Sequence, residues 1–318
     1  MGEFDLIDRY FKRPARRHPL GVGDDCALLG VTPGMHVAVS CDMLVEGRHF
    51  LSTVDPRRLG HKALAVNLSD LGACGAEPLA FTLALALPQA DDAWLEPFSR
   101  GLLALAQQHG CELVGGDTTR GPLNICVTVF GQVPPGQALL RGGARPGDDI
   151  YVSGTLGDAR LALEAFRGTV ALPGEVLEAA RARLETPTPR VALGLALRGI
   201  ASAAIDVSDG LAGDLGHVLG QSRVGATLQA ELLPALMAAP AAAVSPELRL
   251  ECVLAGGDDY ELAFTAAPAQ AAKVAAAAAA AGVPVTRIGR VEPEPGLRLV
   301  DATGTPVTRH YASFDHFA

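Results

Sequence analysis

Segments with helical periodicity and segments with strand-like alternation follow one another along the whole chain. Apolar residues at helical spacing predict helices over residues 57–76 and 92–109. Alternating or β-branched runs predict strands over residues 36–40 and 124–129. Because hairpin-like strand pairs stand among helices, mixed sheets are favoured over a purely parallel doubly wound sheet. The predicted fold class is therefore α/β, with mixed α+β sheets.

A turn-rich, glycine-rich segment at residues 142–148 divides the chain into two similar mixtures of helix and strand. After it, the pattern predicts helices over 157–168 and from 210, and strands near 202–207, 225–230, 261–265, 285–291 and 297–300. Domains typically contain about 100–200 residues, so a chain of 318 residues fits two of them. We predict an N-terminal α/β domain at 1–145 and a C-terminal α/β domain at 146–318.

The charge balance is acidic, with 35 acidic and 26 basic residues and a net charge of -9. Nucleic acid is an unfavourable partner for such a chain, because its binding needs a basic surface. Only three lysines are present, so phosphate groups would be bound through metal ions, backbone N–H groups and a few arginines.

The first residues carry acids and no apolar core of a signal peptide, and the most apolar stretch, 79–87, is too short to cross a bilayer. We therefore expect a cytoplasmic protein with no membrane partner. The six cysteines form no CxxC pair, and we expect reduced, mostly buried thiols.

Short segments that combine aspartate with glycine, serine or asparagine carry the candidate chemistry. They are Gly21-Val22-Gly23-Asp24-Asp25, Ser40-Cys41-Asp42, Asn67-Leu68-Ser69-Asp70, Gly115-Gly116-Asp117-Thr118-Thr119, Asp206-Val207-Ser208-Asp209-Gly210 and Gly256-Gly257-Asp258-Asp259-Tyr260-Glu261. Each one alone is typical of a turn or a helix cap. As a set they suit hard cations, because aspartate is a short oxygen donor and glycine lets the backbone approach a ligand closely.

Convergence of these carboxylates would be costly without cations. Two like charges about 4 Å apart repel by roughly 4 kcal/mol at an effective dielectric of about 20. The sequence contains no Walker P-loop, no protein-kinase motifs and no G-x-S-x-G elbow. If the aspartate segments do converge, they would form a cluster of carboxylates that binds metal ions and phosphates.

Taken in order, these segments resemble the thiamine-monophosphate kinase family nearly end to end. The combination of Gly-Asp-Asp-Cys-Ala, Gly-Gly-Asp-Thr-Thr-Arg-Gly and Asp-Val-Ser-Asp-Gly at these separations carries the resemblance. The family belongs to the aminoimidazole ribonucleotide synthetase-like superfamily of two-domain α/β proteins. Membership implies ATP as co-substrate, several Mg²⁺ ions, thiamine monophosphate as substrate and a homodimer formed through the N-terminal sheets.

The resemblance also implies roles for individual residues. Metal ligation is expected from Asp25, Ser40, Cys41, Asp42, Asp70, Asp117, Asp206 and Asp209. ATP contacts are expected from Gly116, Asp117, Arg141 and Ser208, and substrate contacts from His49, Asp258 and Phe314. The catalytic carboxylates are expected to be Asp42, Asp117 and Asp209, acting through bound metal ions and not as a base.

Two positions depart from the family pattern. Cys41 stands where threonine is usual, and a thiol is a poor ligand for Mg²⁺, although the backbone carbonyl of Cys41 remains suitable. Asp258 stands where glutamate is common, so a direct contact with the substrate there could become water-mediated.

The expected reaction transfers the γ-phosphoryl group of ATP directly and in line to the phosphate of thiamine monophosphate. The acceptor is already an anion, since the second pKa of a phosphate monoester is about 6, and no general base is needed. Phe314 or Tyr260 could stack on the cationic thiazolium ring, with core packing the favoured role for Tyr260.

Other functions stay open at this stage. Another ATP-dependent enzyme of the superfamily is one, although the missing N-terminal Cys or Sec nucleophile argues against selenophosphate synthesis. A non-catalytic Mg-nucleotide sensor is another, and Cys41 and Asp258 would suit it. A structural calcium protein ranks last, because the spacing of an EF-hand loop is absent.

Overall fold

The computed structural model describes residues 2–309 and residue 311, which form two compact units. One unit consists of the chain up to Leu71 together with Ala76–Gly136, and the other of Gly72–Gly75 together with the chain from Gln137 onward. Each unit combines helices with one mixed sheet, which confirms the predicted fold class. The roles predicted for domains 1–145 and 146–318 stay predictions.

The first unit is built on a four-stranded sheet in the order β1-β4-β2-β3. Its strands are β1 (His36–Val45), β2 (Glu77–Leu87), β3 (Glu112–Arg120) and β4 (Asn124–Val133). Its helices are α1 (Glu3–Leu6), a π-helical turn (Ile7–Phe11), α2 (Pro56–Ala73) and α3 (Asp92–Gln108). Strands β2 and β3 run parallel and the other pairs antiparallel.

Side chains from α2, α3 and one face of this sheet make the first core. Leu64, Leu68, Phe81, Phe98 and Ile125 are among the largest fully buried side chains. Burial alternates along a strand because successive side chains point to opposite faces. One face of the sheet is therefore packed with apolar residues, and the opposite face of β1 is exposed.

The second unit is built on a six-stranded sheet in the order β10-β7-β9-β5-β8-β6. Its strands are β5 (Asp149–Ser153), β6 (Ala203–Asp206), β7 (Gly225–Gln229), β8 (Leu262–Ala266), β9 (Val285–Glu292) and β10 (Gly296–Val300). Its helices are α4 (Asp158–Phe166), α5 (Gly174–Glu185), α6 (Val191–Ala196), α7 (Leu211–Ser222), α8 (Pro246–Ala255) and α9 (Ala271–Ala281). Strands β7 and β10 run parallel, and the other pairs are antiparallel.

Two expectations from the sequence need correction. Strand β1 continues to Val45, beyond the predicted end at residue 40, and therefore includes Cys41 and Asp42. The thiols are not mostly buried: Cys26 and Cys41 are exposed, and only Cys111 and Cys252 are fully buried among the six. No helix in residues 2–309 is long and apolar enough to span a membrane.

Candidate functional site

In the first unit, strand β1 presents Ser40 and Asp42 to helix α2. The Ser40 hydroxyl donates a hydrogen bond to the Asp70 carboxylate. The backbone N–H of Asp42 donates to Oδ1 of Asn67 at 3.1 Å, and the Asn67 amide in turn donates to the carbonyl of Ala63. The structure therefore brings together the segments around residues 40–42 and 67–70, which are distant in sequence.

Cys41 lies between Ser40 and Asp42 but points to the other face of the sheet. Ser40 and Asp42 are half-buried, whereas Cys41 is exposed, as the alternation of a strand requires. The Cys41 Sγ lies 3.5 Å from Sγ of Cys126 and accepts a hydrogen bond from the Thr128 hydroxyl at 3.3 Å. Its thiol therefore cannot share an ion with the Asp42 carboxylate, and only the Cys41 carbonyl fits the predicted ligand set.

Gly116 and Asp117 lie inside strand β3, next to a break in its register with β2. Gly116 has φ = 146°, and a Cβ there would lie 1.9 Å from the carbonyl oxygen of Leu83. Glycine is required at this position by the close approach of the two strands. Asp117 follows it as an exposed side chain opposite Ala84.

Asp25 and His49 occupy loops of the same unit. Asp25 is exposed, and its backbone N–H donates to the Asp24 carboxylate at 2.8 Å. His49 closes the turn after β1, because its Nδ1 accepts the backbone N–H of Val45 at 3.0 Å. The buried Lys62 ammonium donates to the carbonyl of His49 at 3.2 Å. These contacts give His49 a structural role in the turn, and its predicted substrate contact stays a prediction.

In the second unit, the two acidic segments at 206–210 and 256–261 are joined by backbone hydrogen bonds. The N–H groups of Asp258 and Tyr260 donate to the carbonyls of Ser208 and Val207, both at 2.8 Å. The N–H of Val207 returns a bond to the carbonyl of Glu261 at 2.8 Å. The predicted metal-binding and substrate-binding segments are therefore paired with each other along the backbone.

Asp214, in the first turns of α7, fixes the loop that carries Ser208 and Asp209. Its Oδ2 accepts the backbone N–H groups of Ser208, Asp209 and Gly210 at 3.0, 3.0 and 3.1 Å. Burial raises the pKa of Asp214 to about 6, against the opposing effect of these N–H groups. Asp214 is thus an internal anion that orders the Asp-Val-Ser-Asp-Gly segment.

Arg141 lies at the opposite end of α7 from Ser208. Ser222, the last residue of α7, donates to the Arg141 carbonyl at 3.3 Å, and the Arg141 side chain is exposed. Helix α7 has 12 residues and is therefore about 18 Å long. The structure does not bring Arg141 and Ser208 together within this unit.

Tyr260 and Phe314 are the two aromatic residues considered for stacking on the thiazolium ring. Tyr260 is half-buried, and its hydroxyl donates to Oδ1 of Asp258 at 3.3 Å, so the interpretation of Tyr260 as a core residue is wrong. Phe314 lies outside the residues that the structure describes.

Among residues 2–309 and 311, no three His, Cys, Asp or Glu side chains stand close enough to hold a metal ion. The carboxylates of each unit lie in the smaller groups described above. Convergence of the aspartates on shared Mg²⁺ ions stays a prediction.

No role was predicted for Asn67, Asp214 or Glu261. Each of them forms a hydrogen bond to a segment that carries candidate site residues. Asp214 had one signal in the sequence, because an acid in the first turns of a helix after a glycine-containing loop faces unpaired N–H groups. The bond from Asn67 to the Asp42 backbone depends on tertiary structure and has no local signal.

Comparison with known proteins defines the family. The models named "AIR synthase related protein, N-terminal domain" and "AIR synthase related protein, C-terminal domain" match residues 23–133 and 145–302. The chain therefore belongs to the AIR synthase related family. Within it, the chain belongs to the thiamine-monophosphate kinase family, as the similarity to individual relatives shows.

It is 46% identical to the thiamine-monophosphate kinase of Escherichia coli (strain K12) over 326 residues, with 100% of this chain and 98% of the relative covered. A crystal structure of the thiamine-monophosphate kinase from Stenotrophomonas maltophilia K279a is 44% identical, with a TM-score of 0.85 and 96% of both chains covered. A structure of AaThiL complexed with AMPPCP and TMP is 28% identical, with a TM-score of 0.76, and covers 99% of this chain and 96% of that one.

Proposed function

We propose that this protein is a thiamine-phosphate kinase that transfers the γ-phosphoryl group of ATP directly to thiamine monophosphate. The products are thiamine diphosphate and ADP. The observation that carries the proposal is the 46% identity over the full chain to a thiamine-monophosphate kinase. The neighbour complexed with AMPPCP and TMP supports the choice of nucleotide and acceptor.

The oxygen donors of the first unit fit Mg²⁺. Ser40 and Asp70 are joined by a hydrogen bond, and Asp42 is fixed beside them through its backbone by Asn67. Hard oxygen ligands of this kind are the ones that Mg²⁺ prefers. We propose Asp25, Asp42, Asp70, Asp117, Asp206 and Asp209 as the residues that would hold Mg²⁺, with Ser40 and the Cys41 carbonyl beside them.

The proposed carboxylates would act electrostatically, by binding cations. Bound Mg²⁺ would neutralise the phosphate charges of donor and acceptor and align them for in-line transfer. Asp42 and Asp117 lie in strands, and the backbone N–H of Asp209 is bonded to Asp214, so the main chain that carries these three carboxylates is held in place. The acceptor phosphate is already ionised at neutral pH, and no side chain is assigned the role of base.

The second unit is assigned to nucleotide and substrate recognition. Ser208 and Asp258 lie on segments that hydrogen-bond to each other, so the proposed ATP contact and the proposed thiamine contact are close along one backbone pairing. Arg141 is exposed and is proposed to contact phosphate through its side chain. His49 and Phe314 complete the proposed substrate contacts.

We also propose a homodimer that uses the exposed face of β1. Val37, Val39, Met43 and Val45 alternate along this face, and Val39 and Met43 are 59% and 53% exposed. β1 is an edge strand of its sheet. An apolar face on an edge strand is a common surface for association.

A direct assay tests the function. The purified chain with ATP, Mg²⁺ and thiamine monophosphate should release one ADP for each thiamine diphosphate formed, and chelation of Mg²⁺ should stop both. Omission of thiamine monophosphate is the matched control for idle ATP hydrolysis. ATP binding without any thiamine diphosphate would contradict the proposal and favour a nucleotide sensor.

A further inference from the structure

Glu261 is a fully buried carboxylate that lies directly before β8 and directly after the Asp258–Tyr260 turn. Its oxygens accept bonds from Arg183 at 2.8 Å and from the Ser153 hydroxyl at 2.6 Å. Arg190 donates two bonds to it, at 2.6 and 2.5 Å. A buried charge is tolerated only when it is paired and hydrogen-bonded, and here two guanidinium groups and a hydroxyl do so.

The backbone beside Glu261 is strained. Asp258 and Tyr260 have φ values of 65° and 52°, in the left-handed region. Non-glycine residues are strained in this region and persist there only where the surrounding structure fixes them. Gly257, just before them, packs so closely on the other segment that a Cβ would lie 2.2 Å from the carbonyl oxygen of Ser208.

Arg183 also holds the main chain of this turn. Nη2 of Arg183 donates to the carbonyls of Thr155 and Asp259, at 3.2 and 3.3 Å, besides its bond to Glu261. The Glu261 carbonyl accepts the N–H of Val207, one residue before Ser208. Glu261 is therefore fixed through its side chain while its backbone is bonded to the segment of the proposed metal ligands.

The Asp259 carboxylate forms no hydrogen bond to Arg183 or Arg190. It is fully buried, and its Oδ2 accepts the N–H of Gly157 at 2.8 Å. Its Oδ1 has no hydrogen-bond partner, and neither has Nε of Arg183, within the part of the chain described. Burial raises the pKa of Asp259 well above its ordinary value, against the opposing effects of the Gly157 N–H and the Arg183 charge.

We infer that Glu261, together with Arg183 and Arg190, is a positioning group for the kinase reaction. It holds Asp258 in its strained conformation for the substrate and keeps Ser208 and Asp209 in register beside it. The inference rests on the proposed function, and it goes further by assigning the geometry of both segments to one buried ionic group.

The test is Arg190→Lys, which keeps the positive charge but loses the two-pronged geometry of the guanidinium. We expect kcat/KM for thiamine monophosphate to fall about tenfold, equivalent to about 1.4 kcal/mol. Amide hydrogen exchange at Asp258 and Tyr260 should accelerate, while exchange in the core strands stays unchanged. Arg183→Lys is the second variant, used if the first does not fold.

Arg287→Lys is the matched control. Arg287 pairs with Asp149 at 2.6 Å in the same sheet. Asp149 lies opposite Ala266, at the end of β8 away from Glu261. This variant should leave kcat/KM and the exchange at Asp258 and Tyr260 as in the wild type, even where it lowers the melting temperature.

A double-mutant cycle shows whether the group acts through Asp258. Asp258→Asn keeps a residue that tolerates left-handed backbone, so it removes the carboxylate with little added strain. Because the group also holds Ser208 and Asp209, Arg190→Lys should cause a smaller fold-loss of kcat/KM in the Asp258→Asn background than in the wild type. The inference would be overturned if the kcat/KM losses of the two variants multiplied fully in the double variant. It would also be overturned if Arg190→Lys kept the wild-type kcat/KM and the wild-type amide exchange. A wild-type chain without turnover would overturn the proposed function instead, and hydrogen exchange would still decide whether Glu261 holds the turn.

Discussion

The Asp214 carboxylate accepts the backbone N–H of Asp209 at 3.0 Å, and the same oxygen accepts the N–H groups of the residues on either side. One buried side chain thus determines the conformation of a segment that carries two proposed ligand residues. The arrangement resembles an anion bound at a helix N-terminus, with the anion supplied by the protein itself.

Asp214→Asn should lower activity and change the pH dependence of stability. The neutral amide oxygen is a weaker acceptor for three N–H groups than a carboxylate, so kcat should fall. The folded pKa of Asp214 is about 6, above the ordinary 3.8. Stability from this group is therefore present below pH 3.8 and is lost as the pH rises through about 6. The loss amounts to roughly 3 kcal/mol.

The measurement is the melting temperature of Asp214→Asn minus that of the wild type, at pH 4 and at pH 8. The difference should be more positive at pH 8. Asp301→Asn is the control, since Asp301 also accepts the N–H groups of a turn, both at 2.9 Å, and its pKa is lowered, chiefly by the hydrogen bond from the Thr303 hydroxyl and then by those N–H groups. For Asp301→Asn, the melting temperature minus that of the wild type should be more negative at pH 8 than at pH 4, and kcat should not change. Equal differences for Asp214→Asn at both pH values would contradict the account.

The thiol of Cys41 should be dispensable for metal use. Cys41→Thr changes a side chain on the face of β1 away from Asp42, so the Mg²⁺ concentration for half-maximal activity should not change. Asp42→Asn removes a proposed oxygen ligand and should raise that concentration at least about tenfold, or about 1.4 kcal/mol. Titration of activity with Mg²⁺ measures both. A shift in Cys41→Thr as large as that in Asp42→Asn would show that the thiol contributes to the metal site.

Val39→Asp should dissociate the proposed homodimer. The substitution places a charge in the middle of the exposed apolar face of β1, where burial against a second copy would leave it unpaired. Light scattering after gel filtration should give the mass of two chains for the wild type and of one chain for the variant. Leu140→Asp, at another exposed apolar position, is the control and should stay dimeric. A wild-type mass of one chain would refute the dimer.

Much of the fold follows from local pattern, and the arrangement of the site does not. The predicted helix over 92–109 is α3 (Asp92–Gln108), because its apolar spacing is strong and Asp91 caps it by accepting the N–H of Ala93. The end of β1 was misplaced by five residues, since the polar Ser40-Cys41-Asp42 run is typical of a strand end. Its continuation is determined by pairing with β4.

The candidate residues were found as short motifs, and their supports were not. Asp42 is held by Asn67, and Ser208 pairs with Asp258, across long separations in sequence. Such contacts have no periodicity from which to predict them. Glu261 looked like one acid among several in its motif, and only its burial with two arginines distinguishes it.

The central claim is a direct, in-line transfer from ATP to thiamine monophosphate without a covalent enzyme intermediate. It is tested most directly with ATP made chiral at the γ-phosphorus by oxygen isotopes and sulfur. After turnover, the configuration of the transferred group in the thiamine diphosphate analogue is determined. A single in-line displacement predicts inversion of configuration. Retention, which needs two displacements, or a labelled group that never reaches the thiamine product, would contradict the claim.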